Sequence, residues 1–200
     1  MTRVIIITGA GSGIGQGTAL TFAERGDWVV AADIDLTAAQ HTVSRTTQPS
    51  AHMAVRCDVS DEASVQQMVA GVLARYGRID VLVNNAGILI SKPLHLTSWH
   101  EWQRILNTNL GSVYLCSAAV LPTMLSQQAG AIINIASPHS FATTTNIAAY
   151  AASKGGVVAL TRQMAMDYGR LGIRTNCVVP GAIDTAMLRS DIAHGDGVEA

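Results

Sequence analysis

The sequence predicts an α/β fold: a doubly wound parallel sheet with helices on both faces. Three observations lead there. Short apolar runs recur along the chain, and each is followed by a stretch with helical periodicity. The first run, Val4-Ile5-Ile6-Ile7, is β-branched at every position, as suits a strand buried on both faces. A glycine-rich stretch, Thr8-Gly9-Ala10-Gly11-Ser12-Gly13-Ile14-Gly15, then joins that strand directly to a helix.

The elements follow in order. Gln16 to Arg25 reads as the first helix, with Ala19, Leu20, Phe22 and Ala23 on one side. Trp28 to Ala32 is the second strand and ends at Asp33. A helix covers Thr37 to Arg45, and Gln48-Pro49-Ser50 ends it. His52 to Arg56 is the third strand. Ser60 is the expected N-cap of the next helix, with Asp61 and Glu62 in its first turn and Gly77 stopping it after Tyr76. Ile79 to Val83 is the fourth strand. A loop with Pro93 spans Ile88 to Thr97, and one long helix spans Ser98 to Ser126, bent by Pro122. Ala131 to Ala136 is the fifth strand, Ser137 to Asn146 a loop, Ala148 to Tyr168 a helix, and Arg174 to Val179 the sixth strand, broken off by Pro180-Gly181. The remainder lacks periodicity, so residues 1–188 read as a single domain. Residues 189–200 read as a tail or the start of a truncated substrate loop.

Composition narrows the function. The chain has 200 residues, a hydrophobic share of 48% and a net charge of −1, with only 14% charged residues. That is enough apolar material for a large core and too little positive charge for a nucleic-acid surface. The three cysteines, Cys57, Cys116 and Cys177, lie far apart, each in an apolar element and without metal-ligand spacing. They read as buried thiols in a reducing compartment. The first apolar run is too short for a signal peptide, and no apolar run reaches about 18 residues. Together these predict a soluble cytoplasmic protein.

The glycine stretch is an anion site by geometry. A helix N-terminus presents free N–H groups and the positive end of its dipole, and glycines allow a pyrophosphate to approach closely. Neither G-x-G-x-x-G nor the P-loop pattern fits in any register. T-G-x-x-x-G-x-G does, through Gly9, Gly13 and Gly15. Asp33 stands 18 residues beyond Gly15, at the end of the second strand. A carboxylate there accepts the two ribose hydroxyls of an adenosine and repels a 2′-phosphate. Ala10, Ser12 and Ile34 offer no cation to offset that repulsion, so NAD(H) is expected rather than NADP(H).

Tyr150-Ala151-Ala152-Ser153-Lys154 places a phenol and an ammonium four residues apart on one helix face. The chain has only two lysines, Lys92 and Lys154. A phenol near pKa 10 is a poor base at neutral pH. A positive charge about 4 Å away, at an effective dielectric near 20, contributes roughly 4 kcal/mol toward ionising it. Ser137 lies 13 residues upstream, at the carboxyl end of the fifth strand, where doubly wound sheets bind their ligands. A hydroxyl and a phenol can converge there on one substrate oxygen.

Taken together these residues resemble the short-chain dehydrogenase/reductase family. The matching motifs run in family order: Thr8-Gly9-x-x-x-Gly13-Ile14-Gly15, Asp33, Asp58-Val59, Asn84-Asn85-Ala86-Gly87, Asn109, Ser137, Tyr150-x-x-x-Lys154, and Pro180-Gly181 followed by Thr185. The resemblance implies a Rossmann-type sheet of order 3-2-1-4-5-6, without the usual seventh strand. It implies Tyr150 as general acid/base, Lys154 lowering its pKa and holding the nicotinamide ribose, and Ser137 bonding the reacting oxygen. Asn109 is implied to hold a water that links Lys154 to solvent. Cofactor contacts are implied at Gly9, Ser12, Gly13, Ile14, Gly15, Asp33, Ile34, Asp58, Val59, Asn85, Ala86, Gly87, Tyr150, Lys154, Pro180, Gly181, Ile183 and Thr185. Asp58 and Val59 would meet the adenine, Asn85 to Gly87 the ribose, and Ile183 and Thr185 the carboxamide. His139, with Ser137 and Tyr150, is a candidate substrate contact. The implied reaction moves a hydride between a secondary alcohol or ketone and NAD, with no metal. It also implies a homo-oligomer, dimer or tetramer, through helices 98–126 and 148–168.

Two other readings compete. A non-catalytic NAD(H)-binding or inactive truncated relative is compatible with a chain that stops where the substrate loop begins. A methyltransferase also uses a glycine turn and a ribose carboxylate, but usually carries an acidic residue just before the glycines, where Thr8 stands, and has no use for Ser137, Tyr150 and Lys154 together.

Overall fold

The computed structural model describes residues 2–189. The expected tail beyond Arg189 lies outside that range. Six strands form one parallel sheet in the order β3-β2-β1-β4-β5-β6. They are β1 Val4–Thr8, β2 Trp28–Asp33, β3 Met53–Arg56, β4 Val81–Asn84, β5 Gly130–Ile135 and β6 Ile173–Val178. The helices are α1 Gly13–Glu24, α2 Leu36–Ser44, α3 Glu62–Tyr76, α4 Trp99–Leu106, α5 Ser112–Gln127 and α6 Ala148–Tyr168.

The two-residue period of a strand decides the layers. In β1, Val4 and Ile6 join Leu82, Ile132 and Ile173 in the core that α3, α5 and α6 cover. Ile5 and Ile7 join Val29, Ala31, Val81 and Val83 in the core beneath α1 and α2. All four side chains from Val4 to Ile7 are fully buried, which is why this run is apolar at every position.

Several boundaries differ from the sequence expectation, each for a local reason. Asp61, not Ser60, caps α3: its carboxylate accepts the Ala63 N–H at 3.2 Å. Ser60 instead donates its N–H and hydroxyl to Asp58, at 2.9 and 2.6 Å. Helix α2 starts earlier than expected because Asp35 caps it, accepting the Thr37 and Ala38 N–H groups. Helix α1 starts at Gly13, behind Ser12. The strands β5 and β6 are each shifted one residue toward the N-terminus, pairing from Gly130 with Ile173. Short 3₁₀ turns occupy Leu94–Leu96 and Pro138–Ser140 in the two expected loops.

The expected long helix is continuous from Trp99 to Gln127 but not uniform. Residues Asn107–Gly111 form a π turn between α4 and α5. Hydrophobic periodicity does not reveal one inserted residue, and such turns concentrate at functional sites. This helix has the length and mean hydropathy, 1.2, of a membrane span. One face of it nevertheless packs inward: Ile105, Val113, Cys116, Val120, Leu121 and Met124 are buried. Its start is pinned by a capping box. The Ser98 hydroxyl accepts the Glu101 N–H, and the Glu101 carboxylate accepts the Ser98 N–H. The Ser98 backbone, then the Ser98 hydroxyl and Lys92, hold the Glu101 carboxyl down at about 2. The loop carrying Lys92 is thereby anchored to α4, and the Lys92 N–H donates to the Asn146 carbonyl of the loop before α6.

Candidate active site

A cavity of about 650 Å³ opens at the carboxyl ends of the strands. Its first wall is the turn between β1 and α1. Gly9 and Gly13 have φ of +63° and +52°, which side chains rarely adopt. A Cβ on Gly15 would lie 2.2 Å from the Gly9 carbonyl oxygen, so that position must stay bare for strand and helix to meet. The Ser12 side chain makes no capping bond, and the first turn of α1 carries no acidic residue. The helix N-terminus is therefore left to face a ligand anion. That cradle fits the diphosphate of a dinucleotide.

Asp33, at the end of β2, accepts the Gly11 N–H on Oδ2 at 2.8 Å and the Asp35 N–H on Oδ1 at 3.0 Å. These bonds orient the carboxylate, and each oxygen retains a lone pair for a hydroxyl. Ile34 beside it is exposed, and both line the cavity with Asp58 and Val59. Asn85 lines it too, but its side chain is spent on the strands: Nδ2 donates to the Thr8 and Gly9 carbonyls at 2.9 and 3.1 Å. The Thr8 hydroxyl accepts the Asn85 and Ala86 N–H groups in return, at 3.0 and 3.1 Å. Asn85 thus ties the end of β4 to the glycine turn.

The chemical end of the cavity is built by β5 and α6. Lys154 is 4% exposed and donates Nζ to the Ile135 carbonyl at 2.8 Å. Burial pushes its ammonium down to about 8, partly opposed by Cys177. Its Nζ lies 5.8 Å from the centroid of the Tyr150 ring. A Cβ on Gly87 would sit 3.5 Å from that Nζ, so this glycine lets the chain pass close to the lysine. Ser137 follows β5 and is buried. Its Oγ accepts the His139 N–H at 3.3 Å, leaving its own proton for an acceptor in the cavity. The His139 and Tyr150 rings meet edge to face, 6.2 Å apart, and both residues line the cavity.

Asn109 sits in the π turn, fully buried and behind the wall rather than on it. Its Oδ1 accepts the Ile88 N–H at 2.8 Å; its Nδ2 donates to the Ile88 carbonyl at 2.9 Å and to Ser153 Oγ at 3.0 Å. Both amide protons are spent, so the side chain braces the segment after Gly87 against α6. Gly15 is likewise absent from the wall and acts by close packing. The other expected residues, Gly9, Ser12, Gly13, Ile14, Ala86, Gly87, Pro180, Gly181, Ile183 and Thr185, line the cavity with those above. Residues 186–189 form a helical turn, and the Thr185 methyl approaches Gly13 across the cavity mouth. Cys57, Ser60, Arg104 and Thr108 also line it and were not expected. They carry no spacing signal; only folding brings the segment after β3 and the α4–π-turn stretch to this cavity.

Known proteins give the same picture. The family described as short chain dehydrogenase matches residues 3–195. The chain is 42% identical over 192 residues to 2-(R)-hydroxypropyl-CoM dehydrogenase of Xanthobacter autotrophicus, covering 94% of this chain and 77% of that protein. It is 40% identical over 185 residues to meso-2,3-butanediol dehydrogenase of Serratia marcescens, covering 92% and 73%. Among solved structures, the 3-ketoacyl-(acyl-carrier-protein) reductase of Brucella melitensis, complexed with NADH, superposes with a TM-score of 0.90 at 35% identity, covering 94% of this chain and 78% of that one.

Proposed function

Because this chain belongs to the short-chain dehydrogenases, oxidoreductases of CH–OH groups that use a nicotinamide cofactor, we propose that it moves a hydride between NAD(H) and a secondary alcohol or its ketone. One observation carries the proposal. Ser137, Tyr150 and Lys154 share the wall of a single cavity with the bare helix N-terminus of α1 and the Asp33 carboxylate.

The nicotinamide, when bound, supplies the hydride acceptor or donor. The protein's own residues position the substrate and handle its proton. Ser137 donates its free hydroxyl hydrogen to the reacting oxygen. Tyr150 takes the proton from an alcohol or returns it to a ketone at its phenol oxygen. Lys154, held by Ile135, keeps a positive charge beside the ring and favours the phenolate that the oxidation direction requires. Gly9 and Gly13 with the N–H groups of α1 receive the diphosphate, Asp33 the adenosine ribose, Asp58 and Val59 the adenine, and Ile183 and Thr185 the carboxamide. Asn109 supports the site from behind through Ile88 and Ser153. His139 borders the substrate.

NAD is favoured over NADP by the Asp33 carboxylate. Asp33→Ala is expected to narrow the ratio of kcat/KM for NAD over NADP by at least about tenfold, as loss of charged hydrogen bonds implies. An unchanged ratio removes Asp33 from cofactor choice. The activity itself is tested with secondary alcohols and ketones, read by NADH absorbance. Turnover of several, dependent on NAD, is the expected result; none across a broad panel, with NADH still bound, favours the non-catalytic reading. We further propose a homo-oligomer through helices 98–126 and 148–168, whose exposed Trp99, Tyr114 and Met166 are apolar and await cover. The three free thiols, two of them buried, fit a cytoplasmic site.

A further inference from the structure

We propose that Asn134 and Thr161 are positioning residues: their buried hydrogen bond, Asn134 Nδ2 to Thr161 Oγ1 at 2.9 Å, fixes α6 against β5 and sets Tyr150 and Lys154 opposite Ser137. This rests on the catalytic reading given above. The bond is the middle link of a buried chain. Asn84, at the end of β4, donates Nδ2 to Asn134 Oδ1 at 2.9 Å and to Ser117 Oγ of α5 at 3.2 Å. The Thr161 hydroxyl donates to the Val157 carbonyl at 2.7 Å. Asn84, Asn134 and Cys177 are register partners across β4, β5 and β6. The single proton of Thr161 is therefore committed, and its lone pairs receive Asn134.

Stability does not account for this chain. Asn84, Ser117, Asn134 and Thr161 are all buried in an otherwise apolar layer, and Asn84 Oδ1 has no partner. An apolar set of the same shape would be about as stable, because buried hydrogen bonds largely replace bonds to water. Placement accounts for it better. Asn134 directly precedes Ile135, whose carbonyl holds Lys154, and stands three residues before Ser137. Helix α6 is thus strapped to β5 twice, at Lys154 and at Thr161. The first strap ends on a flexible four-carbon stem and lets the helix roll. The second is short and does not. Tyr150 lies 11 residues from Thr161, or about 16 Å along the helix. A tilt of about 3° at Thr161 moves the tyrosine by roughly 0.9 Å over that length, and an error of about 1 Å costs on the order of 100-fold in rate.

The test uses Thr161→Val and Thr161→Ser in the full chain, with a secondary alcohol that the parent protein oxidises. The readouts are kcat at saturating NAD, NADH affinity by fluorescence, and the thermal midpoint. Thr161→Val is expected to lose at least about tenfold in kcat while NADH affinity stays within about twofold, and Thr161→Ser to recover most of the loss. A valine variant with a lowered midpoint but unchanged kcat per folded molecule overturns the proposal. So does a serine variant as impaired as the valine one. Should the valine variant not fold, Thr161→Ala carries the same comparison. Tyr150→Phe is run alongside: full activity there sinks the catalytic reading, whereas its inactivity together with full activity of Thr161→Val sinks this inference alone.

Discussion

Turnover falls by at least about 100-fold in Tyr150→Phe while NADH binding survives, because the substitution removes one oxygen and leaves the ring in place. In the proposed mechanism the phenol exchanges the substrate proton, with Lys154 Nζ 5.8 Å from its ring and Ser137 on the same cavity wall. The ring's edge contact with His139 is retained by phenylalanine, so the cavity wall is preserved. The measurement is kcat against a secondary alcohol, with NADH affinity by fluorescence as the control for folding. Undiminished turnover would remove Tyr150 from the mechanism. A loss of NADH affinity as large as the loss of turnover would mean that the residue holds cofactor and does no chemistry.

The second large effect pairs a loss with a gain. Lys154→Met is expected to lower turnover at least about 100-fold, because the phenolate loses its neighbouring charge. The cofactor-free protein should at the same time become more stable at neutral pH. Burial brings the Lys154 ammonium from 10.5 down to about 8. Holding that charge in the fold at pH 7 costs about 3 kcal/mol, partly offset by its bond to Ile135. A net gain of about 1–2 kcal/mol raises the midpoint by roughly 2–8 °C. The sign follows from proton counts. Between about pH 8 and 10.5 the unfolded chain keeps the Lys154 proton and the folded chain has released it. The unfolded state therefore binds more protons, and the parent protein gains stability as pH rises through that window. The methionine variant lacks this contribution, so the two proteins converge in stability toward high pH. Melting curves from pH 7 to 10 measure it, and a methionine variant less stable than the parent at pH 7 contradicts it. The result would mark Lys154 as a residue kept for chemistry against stability.

The strands and their two-layer cover were readable from the chain because strands buried on both faces leave uninterrupted apolar runs, and helices between them leave their own period; the sheet order came from the family resemblance. Val4 to Ile7 and the bare glycines of the first turn are the plainest examples. The Tyr150–Lys154 pair was readable because helical spacing alone puts both on one face. Asn109 was singled out by resemblance; the bonds its amide makes to Ile88 and Ser153 were not legible, because the π turn that aims it leaves no mark on hydrophobic periodicity. Asn85 was expected against the ribose and does line the cavity; that its side chain also laces Thr8 to the end of β4 was not legible. Helix caps went astray by one residue, at Asp61 in place of Ser60, because neighbouring polar residues compete for the same free N–H groups.

Sequence alone sufficed for whatever depends on spacing within one element: which stretches bury both faces, that a helix follows the glycines, and which side chains stand one turn apart. Contacts between elements were settled only by folding. Lys154 reaches the Ile135 carbonyl, Asn134 meets Thr161, and Thr185 closes on Gly13, each across more than ten residues of chain. The physical reason is that backbone periodicity is a local property, whereas the partner of a buried polar group is chosen by which surfaces the apolar core brings together.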